Sequence, residues 1–396
     1  MSAMLSKELR EVDVALYRLA REVRTLYYIN PINAAHEREH FFREVHRGHR
    51  YAPRFRYRPL KFDVGKTTRA LVALEKKLDN SELGTLYKRK IDEINTEVLL
   101  VGAVGDRQRF LGYSVSLYGI PSVSPYGVAR SLEVAKLWLA APREEEPKVV
   151  PAMGPGSAES VLKEEISRYG FKCSVRVKEH MSANAAAGES GISLRKGVVY
   201  SAKECVRLAV HEVGFHVVTT YNAKQHAIRL FEIGTPGYLA DQEGGAIWAE
   251  EEAKALTNQR LAILGARTVG IDLAVSGADF FDVFREMVDR HRFDEDDAYY
   301  ICERVFRGGL FTKDAIYEHG FNKVRNAFRF GVADPYVFIC GKMTVEDVPL
   351  ASALLEAKLL RPPKFTPRFL RDREWISTWR TLSRTNDLFR EQDFRR

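Results

Sequence analysis

The sequence predicts an α+β fold that is mainly helical, on three observations. Apolar residues recur at helical spacing over most of the chain, one short central stretch alternates at strand spacing, and a Pro/Gly/acidic segment separates the first helical region from the rest. With 396 residues, 45% of them hydrophobic, the chain can bury a large core and hold more than one subdomain.

Taken in order, Leu5, Leu9, Val12, Leu16, Leu19, Val23 and Leu26 alternate spacings of four and three. That is the stripe of an amphipathic helix of about six turns, which Pro31 ends. Leu71, Leu74 and Leu78, then Ile91, Ile94 and Val98, continue the pattern. Pro142 to Pro147 and Pro151 to Ser157 form the Pro/Gly/acidic link. A boundary placed there leaves an N-terminal helical region, 1–145, and a second region, 146–396. Phe171, Cys173, Val175 and Val177 alternate as a half-buried strand. Gly191 to Tyr200 reads as a second strand with an exposed side. Ser201-Ala202-Lys203-Glu204 has the form of a capping box, so a helix opens there and runs through Val206, Leu208 and Val210 into His211. Residues 273–360 return to helical patterning, and the chain carries neither an internal repeat nor a low-complexity tract.

The chemistry gathers in the middle of the second region. His211 and His216 bracket Glu212, Val213, Gly214 and Phe215, and Glu243 follows 27 residues later. Two imidazoles and a carboxylate are the protein ligands of a catalytic zinc, which keeps its fourth position open. A glutamate beside the first histidine is where zinc peptidases keep their general base. The usual spacing is H-E-x-x-H. Here the histidines are five apart, about 140° around a regular helix, and a single π-type turn would realign them. Gly214 removes side-chain bulk where that turn must form. For the third ligand, Asp241, Glu243 and Glu250 to Glu252 all lie on or near the next helix, with Glu250 on the same face as Glu243. Glu250 to Glu252 read as a solvated acidic face. Glu243 precedes Gly244 and Gly245, which each cost a helix about 1 kcal/mol relative to alanine and therefore mark a close approach by another element or by substrate.

His36-Glu37-Arg38-Glu39-His40 matches H-E-x-x-H letter for letter. Its intervening residues are charged, its neighbours Arg43, Arg47 and Arg50 are basic, and no glycine-marked third-ligand segment follows. It reads as a charged surface helix rather than a metal helix.

The chain resembles the QEGLA-motif metallopeptidase family, which includes the microtubule-associated tyrosine carboxypeptidases. The matching segments are Ile29 to Asn33, Phe55 to Leu60, His211 to His216, Gln242 to Ala246, Phe311 to Tyr317 and Pro362 to Phe365. The resemblance implies one zinc ion per chain, with His211, His216 and Glu243 as ligands and Glu212 as general base. It also implies a zinc-peptidase-like catalytic domain with a small sheet beside the metal helix, the N-terminal helical region packed on it. The activity it implies is removal of a C-terminal residue from a peptide or protein; the eukaryotic relatives remove the C-terminal tyrosine of tubulin. Gly245 departs from the family, which has leucine there, and the expectation is a wider or looser pocket. Such a reaction also needs a group for the oxyanion and a cation for the terminal carboxylate. Lys313 and Tyr317, four apart in a matched segment, are the candidates, against the alternative of a capping lysine and a packed tyrosine.

Composition limits the alternatives. Four scattered cysteines without a CxxC pair argue against a disulfide framework and a cysteine zinc site, and fit a reducing cytoplasm. The charged N-terminus is not that of a secretory signal, and no run of 18 apolar residues exists to cross a membrane. The net charge of +8 gathers at residues 38–61 and again among the C-terminal arginines, Arg368 to Arg396. Arginines paired with local acids account for most such patches, and an acidic peptide partner is the functional reading. A nucleic-acid binder would predict no metal, and no nucleic-acid-binding motif is present. A zinc-binding scaffold that grips acidic partners without catalysis is the main competitor. Against it stands Glu212, since a structural zinc has no use for a base and fills all four positions with protein ligands.

Overall fold

The computed structural model describes residues 6–122, 131–143, 146–179, 181, 183–188 and 191–371. Helices dominate, and the strands form two small sheets, so the mainly helical α+β expectation holds. The first helix runs Lys7–Glu22, capped by the Ser6 hydroxyl accepting from the Leu9 N–H. The expected six-turn helix is interrupted: Val23 leaves helical angles at φ −80, ψ 81, and a separate short helix covers Thr25–Ile29. Leu5 lies outside the described residues, as do Arg373 to Arg396 of the C-terminal basic cluster and Glu144 and Glu145 of the link.

Strand β1 (Val150–Pro151) pairs antiparallel with β5 (Val199–Tyr200). The second sheet has the order β2-β4-β3, with β2 (Ser174–Lys178) parallel to β4 (Gly191–Arg195) and β3 (Ala185–Gly188) antiparallel to it. The stretch Gly191 to Tyr200 is thus not one strand. Gly197, at φ +78, turns the chain between β4 and β5, a backbone state that glycine enters without steric cost.

Three apolar clusters hold the molecule together. The largest joins Val12, Leu16, Ile94 and Phe110 with Phe215, Trp248 and Phe328, so it draws on residues from both sides of position 145. A second surrounds Phe41, Phe284 and Tyr299. The third packs Ile192 and Leu194 of β4 against Leu162 and Ile166 of the helix Ala158–Tyr169, and against Val213 and Val217. The histidine segment therefore lies between two cores, with Phe215 turned to one and Val213 and Val217 to the other. A helix apolar on several sides is buried for that reason.

Candidate metal and catalytic centre

The helix that carries the histidines starts where the sequence placed it. Ser201 accepts from the Glu204 N–H, and the Glu204 carboxylate accepts in return from the Ser201 N–H, a complete capping box at the head of Ala202–Leu208. From Ala209 to Val217 the helix widens into a π-helix. Its i→i+5 register brings residues five apart onto one face, and the His211 and His216 rings meet edge-on with centroids 4.8 Å apart. Gly214 turns out not to be forced by space: a Cβ there would meet the Ala209 carbonyl oxygen at an ordinary 3.6 Å.

The next helix, Tyr238–Glu252, supplies the carboxylate. Ligand atoms of His211, His216 and Glu243 all lie within 4.8 Å of one another, the one such group among the described residues. His211 Nε2 and His216 Nε2 are 3.2 Å apart, and each is 3.7 Å from Glu243 Oε2. Tetrahedral zinc with bonds of about 2.0–2.1 Å separates its ligands by roughly 3.3 Å, so the three donors fit that ion in kind and in spacing. His211 donates its Nδ1–H to Glu250 Oε1 at 2.7 Å, which leaves the Nε2 lone pair for the shared point.

Glu250 is a correction to the sequence reading. It is fully buried rather than part of a solvated face, with Arg207 and Arg260 at 3.5 and 3.6 Å. Burial alone would raise its carboxyl, but Arg260, Arg207 and His211 hold it down at about 2. The other acids of this helix are engaged elsewhere: Asp241 accepts from the Val345 N–H and from Lys323, and Glu251 pairs with Arg325.

Both glycines after Glu243 mark close approaches by other elements. A Cβ on Gly244 would lie 2.2 Å from the Gly320 carbonyl in the helix Ile316–Arg329, and a Cβ on Gly245 would lie 2.3 Å from the Phe215 ring. The place of the family's leucine is thus filled by Phe215, which is fully buried. Gly245 packs the core beneath the site instead of widening the pocket.

His211, Glu212, His216, Glu243, Lys313 and Tyr317 all line one cleft of about 2390 Å³. Glu212 is buried, and its Oε2 accepts from the Ala187 N–H of the edge strand β3 at 2.7 Å. Lys313 and Tyr317 do not share one regular helix: Lys313 lies in a 3₁₀ turn, Thr312–Ala315, and Tyr317 in the helix that follows. They nevertheless meet, with Lys313 Nζ 3.3 Å from the Tyr317 hydroxyl and 3.1 Å from Glu243 Oε1. Burial would raise the Glu243 carboxyl, but Lys313 and the two imidazoles keep it well below the carboxylate range.

Sequence reasoning missed the positive charge inside the cleft. Arg207, Arg260, Arg267, Arg304 and Arg307 line it, scattered over a hundred residues and brought together by folding. Asp314 accepts from Arg304 at Nε and Nη2, 2.5 and 2.7 Å away. Arg267 reaches Asp314 at 3.6 Å, but its buried Nε has no hydrogen-bond partner among the described residues. Two of the surface arginines pair with acids, as the plainer reading had it: Arg38 with Asp296, and Arg50 with Asp279 and Asp282. No helix of the described chain is long and apolar enough to cross a membrane.

Comparison with known families places the chain among carboxypeptidases. The profile that matches is that of the microtubule-associated tyrosine carboxypeptidases, over residues 39–387, which is most of the chain, and the chain belongs to that family. No individual curated protein gives a significant match.

Proposed function

We propose that this protein is a zinc-dependent carboxypeptidase that removes the last residue, tyrosine by family kinship, from an acidic protein tail of the kind the family name associates with microtubules. The observation that carries this reading is the convergence of His211, His216 and Glu243 beside Glu212 in an arginine-walled cleft. A zinc ion held by the three side chains would supply an acidified water and a polarised scissile carbonyl.

The chain's own groups do the rest. Glu212, oriented by the Ala187 N–H, takes the proton of the attacking water and passes it to the leaving amine nitrogen. Lys313, with Tyr317 beside it, brings positive charge and a hydroxyl to the side of Glu243 where an oxyanion would need them. Arg267, with its incompletely bonded guanidinium, is a cation for the terminal carboxylate. The edge of β3, which lines the cleft, offers backbone groups to an extended peptide. Four cysteines without disulfide partners accord with work in the cytoplasm.

The test is Glu212→Gln, nearly isosteric and unable to accept the proton. Zinc content and folding should be kept while turnover of a peptide with a free C-terminus falls by about 10²–10⁴-fold. Wild-type turnover in that variant sinks the mechanism. Equal cleavage of a peptide with an amidated C-terminus sinks the carboxypeptidase assignment.

A further inference from the structure

The cleft continues past Glu243 along the helix Tyr238–Glu252 to Tyr238, and from there toward the helix Glu82–Gly102. This end is walled by Ile94, Tyr118, Tyr238 and Phe311, with Tyr118 edge-on to Phe311 at 5.3 Å between centroids. Flat apolar walls of this kind suit an aromatic ring.

One polar group among them makes no hydrogen bond or ion pair with the described residues. Glu97 lines the cleft in the middle of the helix Glu82–Gly102, and only burial and the charges of Lys90 and Glu93 act on its carboxyl. Its neighbour Glu93, by contrast, is engaged by Lys90 at 2.6 Å and by the Gly237 N–H. Burial above all pushes the Glu97 carboxyl up to about 7. Near neutral pH it can therefore accept a hydroxyl's hydrogen bond as the carboxylate or donate one as the acid. Tyr238, which lines the same cleft, feels the charges of both Glu97 and Glu243 and so lies within electrostatic reach of that carboxyl and of the metal-ligand group.

Charge at the rim decides what kind of guest fits. Lys90 stands over the Tyr238 ring at 4.9 Å and Arg307 over the Phe311 ring at 5.2 Å. Glu93 offsets Lys90, and the cation left over, Arg307, disfavours a lysine or arginine side chain. Apolar walls ending in a lone oxygen group match a ring that carries a hydroxyl. We propose that this end of the cleft receives the side chain of the residue being removed, and that Glu97 bonds its phenolic hydroxyl and so selects tyrosine over phenylalanine. The proposal rests on the carboxypeptidase reading and names the residue that sets its specificity.

The experiment compares kcat/KM for three peptides that differ only in a C-terminal Tyr, Phe or Lys, on wild-type protein, Glu97→Leu and Glu97→Gln. Wild type should favour Tyr over Phe by roughly ten- to a hundredfold and turn over the Lys peptide least. Glu97→Leu should bring the Tyr/Phe ratio to within about threefold of one, because the hydroxyl's partner is lost. Glu97→Gln should lower the ratio several-fold, since a neutral acceptor replaces a charge-assisted one, and it serves alone if the leucine variant melts early. A Tyr/Phe ratio unchanged in both variants, an equal loss for both peptides, or a wild-type preference for Lys overturns the assignment. Calorimetric binding of free L-tyrosine and L-phenylalanine to wild type and both variants supplies a readout without turnover. Should wild type cleave none of the peptides yet bind tyrosine in preference through Glu97, the pocket stands and the peptidase reading falls.

Discussion

Two segments of this chain spell a histidine–glutamate motif, and they have opposite fates. His36 to His40 carries the familiar H-E-x-x-H letters on the helix Ala34–Val45. The His36 side chain is 74% exposed, and the two rings stand 6.3 Å apart. Glu37 is buried, but the fold consumes it: it accepts from the Tyr51 hydroxyl, the Arg54 N–H and the Asn33 amide. His211 to His216 has the wrong spacing on paper. Its histidines nonetheless converge, because the helix widens to a π register and a second helix delivers Glu243. The contrast teaches that a metal motif is defined by where lone pairs point and what else can reach them. A carboxylate surrounded by N–H and O–H donors is part of the scaffold; one that lines a cleft beside two converging Nε2 atoms is available for chemistry.

The comparison is broken most directly by metal content. His216→Ala should leave protein that binds close to no zinc, while His36→Ala keeps about one equivalent per chain; elemental analysis of the two purified variants decides it, and the reverse pattern would make the first motif the metal site. A smaller effect is expected at Glu250, which orients His211 through Nδ1. Glu250→Gln should weaken zinc binding by about 10–100-fold in a chelator titration, and an unchanged affinity would show that the bond to His211 is idle.

The effect that leaves the metal untouched belongs to Glu37. Burial opposes its ionisation, but the Arg54 N–H and the Tyr51 hydroxyl outweigh it and lower its carboxyl below the ordinary glutamate value of 4.5. A depressed folded value means that the ionised group stabilises the fold above pH 4.5 and that this contribution is lost as pH falls through the lower, folded value. Glu37→Gln should therefore cost about 1–3 kcal/mol at neutral pH and leave zinc binding intact. Thermal unfolding should show the gap to wild type closing below pH 4.5, and a gap that stays constant with pH would remove the charge from the account.

Much of the site was legible in the sequence because it is written in local code. The capping box at Ser201 and Glu204 is a four-residue pattern, and the π register follows from histidines five apart on a helix that must present both. Gly244 and Gly245 announced close packing, though not that Gly320 and Phe215 were the partners. What stayed hidden depends on contacts far apart in the chain. Glu250 looked like one of three exposed acids because nothing nearby in sequence says that Arg207, Arg260 and His211 will close over it. The arginines of the cleft escaped notice for the same reason, whereas the dense run at 38–61 drew attention, and of it Arg38, Arg47 and Arg50 pair with acids. The break after Glu22 and the turn at Gly197 show the opposite limit, where a smooth apolar pattern conceals a local change of backbone direction.

The crossing at Gly244 and Gly320 has a mechanical consequence. Each glycine receives the other helix so closely that a Cβ on Gly244 would lie 2.2 Å from the Gly320 carbonyl and one on Gly320 would lie 2.0 Å from that of Ala240. Two helices notched together in this way cannot slide or tilt past one another without backbone collision. Glu243 and Tyr317 ride on these two helices, with Lys313 on the turn that leads into the second, so this wall of the cleft behaves as a single rigid jaw.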